Sequence, residues 1–364
     1  MTQAVRAGLI AVGAVVAVAA TSPSAQAPQD MNVYAIVDAG PVPVPGSCSC
    51  ISSPFTVAHA PSRGPRSGAG APLEGSGPPI NLNHLKDDRA SFARRAEDGL
   101  DGNYYASFGI AMHLSLESAL AGGDPRMEEE AARWLHLAAA QENADAFRFL
   151  GLRYARGRGL EQNAAAAAYW FHQGALRGDP ISMTALGLRY AAGSGVTQNW
   201  NAAARWWLRA QAHTPLASRF LGDAYACGLG VDLDPVRAEA AYKAAAEKGE
   251  SSSSTQLGHL YAKRCVHAPD QAALEAYERA ADDGDPEAQI ELSDLVRQGR
   301  GTDPNPYRAY TLARLAELRL PEGAMKARAA ERVKSAVRLM LPEAIPAQEA
   351  LVQSLIAASA KPVR

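Results

Sequence analysis

A leucine-glycine pair recurs along this chain at Leu150-Gly151, Leu186-Gly187, Leu221-Gly222 and Leu257-Gly258, with Leu292-Ser293 as a variant, at intervals of 36, 35, 36 and 35 residues. Four residues after each leucine stands Tyr154, Tyr190, Tyr225 or Tyr261, with Val296 in the last copy. Paired glycines follow at Gly157/Gly159, Gly193/Gly195, Gly228/Gly230 and Gly299/Gly301. The second half of each unit carries an aromatic, read at Trp170, Trp206, Tyr242 and Tyr277, and small residues beside it. A period of this length means a repeat protein, in which each unit buries its apolar face against the next.

Leucine, glycine and tyrosine at i, i+1 and i+4 share one helical face, so leucine and tyrosine fill a core while glycine permits close approach. The glycine pair ends that helix, because a left-handed closing residue costs glycine least. Asp234-Pro235 and Asp303-Pro304 mark the turn into a second helix. Composition agrees with hairpins of helices. The chain has 364 residues, of which 75 are alanine and 24 aromatic, and a chain so rich in the strongest helix former is a poor candidate for extended sheet. The expected class is all-α. A formal charge of −2 gives no electrostatic case for nucleic acid as a partner.

The segment from Ala185 through Leu186-Gly187, Tyr190 and Gly193-Ser194-Gly195 to Val196, followed by Ala204 to Ala210, resembles the Sel1-like repeat family, relatives of the tetratricopeptide repeat. The resemblance implies a right-handed superhelical solenoid of helix-turn-helix repeats. Clear copies cover about 144 to 320. Phe108-Gly109, with Met112 in place of tyrosine, looks like a degenerate earlier unit with residues inserted between Leu114 and Met127, and Ala90 to Gly99 like the second helix of a leading half-unit. Pro321 to Met340 and Pro346 to Ala358 read as two helices closing the exposed core. The expected organisation is a signal peptide over 1–27, a disordered Pro/Gly/Ser-rich leader over 28–80, a solenoid over 81–320 and capping helices over 321–364.

Arg6, the uncharged run Ala7 to Ala20 and Ala25-Gln26-Ala27 have the order of a secretory signal peptide. A run of 14 apolar residues falls short of the ~20 that cross a bilayer, so no stable membrane insertion is expected after cleavage. The expected location is periplasmic or secreted. In such a compartment a Cys227–Cys265 disulfide would tie adjacent hairpins and substitute for the turn glycines missing from Tyr261 to Asp270. It needs Cα atoms within ~7 Å, while neighbouring helices lie ~8–10 Å apart, so the turn would have to lean across. The alternative is two buried free thiols. The family's cysteine-rich secreted members staple within each repeat, a framework absent here. Cys48 and Cys50 are too close to constrain much if joined to each other, and with His59 as the only nearby donor they make no metal site.

No His-Glu-x-x-His, Gly-x-Ser-x-Gly or phosphate loop is present, and the histidines lack ligand spacing. No cofactor and no metal is expected, and no enzymatic activity. Glu128-Glu129-Glu130 falls at a helix start, where acids favour the helix dipole. By analogy with tetratricopeptide units, a concave groove exposes positions two before, and two, five and six after, each leucine. Those give Arg148, Leu152 and Arg156; Thr184 and Leu188; Arg219 and Asp223; Thr255, His259 and Lys263; and Ile290, Asp294 and Arg297, with Arg153 and Arg189 beside the row. The arginines either contact a partner or merely solvate a helix face. The resemblance implies a scaffold or adaptor that binds another protein of the envelope, in signalling or polysaccharide regulation. The competing class is an envelope enzyme or glycan-binding protein, which an aromatic-lined groove would favour.

Overall fold

The computed structural model describes residues 104–359. The expected signal peptide, the leader with Cys48, Cys50 and His59, and the half-unit at Ala90 to Gly99 lie outside the described residues. Those described fall into two compact units, 104–214 and 215–359. They hold fourteen α-helices and one short 3₁₀ turn, and among them there is no strand. In the first unit the helices are α1 (Tyr104–Leu120), α2 (Pro125–Ala140), α3 (Ala144–Arg156), α4 (Ala164–Leu176), α5 (Pro180–Ala192) and α6 (Trp200–Ala210). In the second they are α7 (Pro215–Cys227), α8 (Pro235–Glu247), α9 (Ser251–Ala262), α10 (Asp270–Asp282), α11 (Pro286–Gln298), α12 (Pro306–Arg319), α13 (Ala324–Val337) and α14 (Ile345–Ser359). Within each unit consecutive helices pair as hairpins and successive hairpins stack, the arrangement of a repeat solenoid.

The ends of these helices are written locally. Asn143, Asp179, Asn199, Asp285 and Asn305 each accept a backbone N–H from the first turn of the helix that follows, which satisfies a donor with no intrahelical partner. Proline opens α2, α5, α7, α8, α11 and α12, where its missing N–H costs nothing. The first glycine of a pair closes the first helix in the left-handed region, at φ 70° for Gly157 and 67° for Gly193. The second glycine has a different task. A Cβ on Gly159 or Gly195 would run into the backbone of Glu128 or Ala164, at the start of the preceding hairpin's second helix, and one on Gly301 would stand 2.8 Å from the Asp270 carbonyl oxygen. The pair therefore ends one helix and seats the turn on the neighbouring hairpin.

The glycine of each leucine-glycine pair faces a ring, not a backbone. A Cβ at Gly151 would stand 2.7 Å from the Phe171 ring and one at Gly222 2.5 Å from the Tyr242 ring; Gly187 and Gly258 are closed off in the same way by Trp207 and Tyr277. This corrects the expected aromatic register by one residue in two repeats. Phe171 and Trp207 are fully buried at the seat, whereas Trp206 is half-buried beside Arg209 and His172. Trp170 is buried too, but packs against Phe147 and His136.

The degenerate first unit has no such seat, since nothing lies within 4 Å of a Cβ at Gly109. Its extra residues lengthen α1 to 17 residues against 13 in α3. At the other end, α13 lays Ala329 on Ile290 and Ala316, and Arg332 pairs with Asp294 at 2.5 Å. Tyr310 donates to Glu349 of α14 at 2.7 Å. The two C-terminal helices stand where capping helices are expected.

Gly222→Ala places a methyl group inside the Tyr242 ring. Overpacking of that kind costs ~1–3 kcal/mol, more than the helix-propensity gain of up to ~1 kcal/mol, so the urea midpoint of this variant should fall. An unchanged midpoint would show that the ring does not depend on the glycine.

Candidate interaction surface

The row expected to face a groove is mostly interior. Position two before the leucine reaches the start of the next hairpin. Arg148 donates to Asp179 at 2.8 Å, Thr184 shares a 2.9 Å hydrogen bond with Thr214, and Thr255 donates to Asp285 at 2.5 Å. Asp179 and Asp285 are themselves helix caps, so one carboxylate serves its own helix and receives the previous repeat. Arg148 keeps partial exposure and also pairs with Asp145 at 2.6 Å.

Position two after the leucine turns toward the ring of the second helix. Tyr242 donates to Asp223 at 2.7 Å, and its hydroxyl is held well above its ordinary value by burial first and by the Asp223 carboxylate second. Arg219 lies 3.4 Å from the other Asp223 oxygen, with both side chains buried. Tyr277 and His259 meet at 2.8 Å through Nδ1, and the His259 Nε2 lies 3.5 Å from Glu287. Burial pushes the Glu287 carboxyl up, but the His259 hydrogen bond and nearby cations outweigh it and hold it below its ordinary value. Leu152 and Leu188 are buried at the same position.

Expected exposure is thus corrected at Leu152, Thr184, Leu188, Arg219, Asp223, Thr255 and His259, because the second-helix ring or the next hairpin's first turn covers each of them. Ile290 is covered by α13. Asp294 and Arg297 are half-buried and paired to each other at 3.3 Å. Lys263 is exposed and Arg156 half-buried. These two stand at equivalent places six residues after their leucines, one in each unit.

Arg153 and Arg189 are also buried. Arg153 donates to Glu128 at 2.8 Å and to Ser115 at 2.5 Å, and Arg158 reaches the second Glu128 oxygen at 2.8 Å. Burial raises the Glu128 carboxyl, yet hydrogen bonds from Ser118, Arg158 and Arg153 bring it below its ordinary value. Glu128 does lie in a first turn, but two arginines of the next hairpin hold it there as a latch. Beside that latch is a small pocket with an apolar floor of Met112, Leu135, Phe149 and Leu152, rimmed by Arg153, Arg156 and Arg158. No group of three or more metal-donor side chains occurs among the described residues, and no helix there is long and apolar enough to cross a membrane.

Cys227, the last residue of α7, and Cys265, in the turn after α9, are both disulfide-bonded. Both residues are half-buried, and Cys265 belongs to the repeat whose turn lacks glycines. There Arg264 takes the left-handed conformation, at φ 58°.

Stacked helical hairpins with a glycine-seated ring in each define this chain as a helical repeat protein. Its repeats are Sel1 repeats: the Sel1 family model matches residues 118–143, 144–179, 180–210, 215–250 and 286–317. The hairpin of α9 and α10 lies between the last two matches. Among solved structures the chain is similar to a protective antigen of uropathogenic Escherichia coli strains displaying an SLR fold, with 28% identity and a TM-score of 0.55 over 71% of this chain. It spans 56% of that antigen's length. It is also similar to a Sel1 repeat protein from Oxalobacter formigenes, with 27% identity, a TM-score of 0.53, and coverage of 60% of this chain and 88% of the other. No curated protein matches the chain. Sel1 repeat proteins are generally protein-interaction scaffolds, typically without catalysis.

His136 supplies a test of the interior. It is packed on Trp170, its Nε2 meets the Tyr154 hydroxyl at 3.2 Å, and its Nδ1 has no hydrogen-bond partner among the described residues. Burial lowers its pKa from 6.5 to about 4. Between those values the unfolded chain binds a proton that the folded one refuses, so the stability held above pH 6.5 falls as pH drops through the window. The loss reaches up to ~3 kcal/mol at 1.36 kcal/mol per unit. In His136→Gln the urea midpoint should fall less steeply with pH across this window; parallel profiles would contradict the burial.

Proposed function

We propose that this protein is a non-enzymatic scaffold of the periplasm or extracellular space that binds another protein through the surface edge of its first helices. The observation that carries the reading is the pocket of the first unit, where the apolar floor of Met112, Leu135, Phe149 and Leu152 meets a rim of arginines. A floor of this kind accepts an apolar anchor, while guanidinium groups at the rim pair with a carboxylate beside it. The partner chemistry is therefore a segment with an apolar residue next to an acidic one. Arg156 stands on the rim beside Arg153 and Arg158, the two arginines that hold Glu128. In the second unit, Lys263 offers a cation at the equivalent place.

The location rests on the basic start, apolar run and Ala25-Gln26-Ala27 of the N-terminus, together with two disulfide-bonded cysteines, which fit an oxidising compartment. Envelope signalling and polysaccharide regulation are the processes such a scaffold would serve.

Arg156→Glu should reduce partner recovery in crosslinking and pull-down from the native envelope about tenfold or more, a loss of ~1.4 kcal/mol at the rim, with helical circular dichroism unchanged. Equal recovery of all partners would exclude this rim. Arg219→Glu is unsuitable as a probe, since it sets a second acid against buried Asp223. Fractionation of cells expressing the full chain should place a processed form outside the cytoplasm; an unprocessed cytoplasmic chain would sink the location.

A further inference from the structure

We propose that the outer face of α6 is a second docking surface, which takes an acidic protein segment through Arg205 and Arg209. The starting observation is a local imbalance of charge. From 162 to 214, the part of the first unit beyond Glu161, the chain holds four arginines and one acid, Asp179. That acid is already committed, since it caps α5 and receives Arg148 at 2.8 Å. Two of the arginines are committed as well. Arg189 is buried and donates to Ser194 at 2.8 Å, and Arg177 reaches back to Glu142 at 3.8 Å. Arg205 and Arg209 are exposed, and neither has an ion pair among the described residues.

The two stand at i and i+4 on one side of α6, so their stems leave the helix ~6 Å apart along its axis. Arg209 lies in the last turn, where a cation also favours the helix dipole. Arg205, a turn earlier, has no such role. Packing positions both side chains. The Arg209 guanidinium carbon stands 4.7 Å from the centre of the Trp206 ring, and His172 of α4 meets that ring edge-on at 6.0 Å. Stacking of this kind holds the planar group over the ring and consumes none of its N–H donors. Arg205 lies close to Tyr190 of α5, whose hydroxyl sits above its ordinary value because burial outweighs the charge of that arginine. Leu208, 40% exposed, stands beside the pair.

Two cations with donors to spare and an apolar side chain next to them match an acidic segment. Each guanidinium takes one carboxylate through two parallel hydrogen bonds. Carboxylates ~6 Å apart along the partner, at i and i+4 of a helix, meet the spacing of the arginines. A carboxylated polysaccharide would carry the same charge, but its sugar rings would need an open aromatic face, and Arg209 and His172 already occupy Trp206. The surface shares no residue with the pocket rimmed by Arg156, so the two can be tested separately.

The test is fluorescence anisotropy of a labelled, alanine-rich helical peptide with glutamates at i and i+4, titrated with the full chain beside the same peptide carrying glutamines instead. The wild type should bind the glutamate peptide about tenfold or more tightly than the glutamine one, and Arg205→Gln/Arg209→Gln should remove that difference, with helical circular dichroism unchanged. Arg205→Gln alone, which leaves the Trp206 stack intact, should already weaken binding about threefold or more. Arg126→Gln, which removes an exposed arginine at the start of α2, should leave the affinity as it is. Equal affinity for the two peptides overturns the proposal. So does unchanged affinity in Arg205→Gln, or an equal loss in Arg126→Gln, which would mean that the peptide reads net charge alone. Binding of polygalacturonate through Arg205 and Arg209 by a chain that ignores the peptide overturns it in favour of a glycan.

Discussion

The ring of the second helix seated on a glycine of the first is the interaction from which the hairpins follow. It brings the two helix axes close, and it places the leucine and tyrosine that flank the glycine against the same interior. Burial of such a side chain contributes ~1.5–3 kcal/mol, but the direction of the ring matters as much. In α8 and α10 the ring is a tyrosine, and its hydroxyl continues past the glycine to the side chain two residues after the leucine, Asp223 or His259. In α6 the ring is a tryptophan whose Nε1 donates to the Thr184 carbonyl at 3.3 Å. Where the ring is phenylalanine, the corresponding first-helix residue is Leu152, with no polar group to satisfy. The residue beyond the glycine is matched to the ring that reaches it.

That matching explains what could be read from the sequence and what could not. The helical hairpins, their boundaries and the two closing helices were legible because leucine, glycine, proline and cap residues act within a few positions of one another. The ring register was ambiguous only where aromatics stand side by side, at Tyr169-Trp170-Phe171 and Trp206-Trp207; the single tyrosines left no choice. The surface was misread for another reason. Charge in a sequence suggests exposure, and a row of Arg219, Asp223 and His259 at helical spacing looks like a binding face. Their partners Tyr242, Tyr277 and Glu287 come from the following helices, at distances fixed by packing that no single-helix pattern contains. The signal that would have found them is the tyrosine at the ring position, 19 and 18 residues beyond the first-helix residue that it meets.

The two glycines of each turn divide the work between chain direction and stacking. Gly157 and Gly193 supply left-handed closure; Gly159 and Gly195 supply contact with the backbone of the hairpin before. The repeat that lost both still closes, through Arg264 in the same conformation, which costs a non-glycine residue ~1–2 kcal/mol. That repeat tolerates the cost among neighbours whose caps and rings are intact.

Asp179 and Asp285 each cap a helix and at the same time accept a side chain from the repeat before, Arg148 or Thr255. A helix start that is half owned by its neighbour cannot fray alone. Opening one repeat exposes the cap of the next, so denaturation within a unit should travel as a front from its ends, each hairpin guarding the nucleation site of the one that follows.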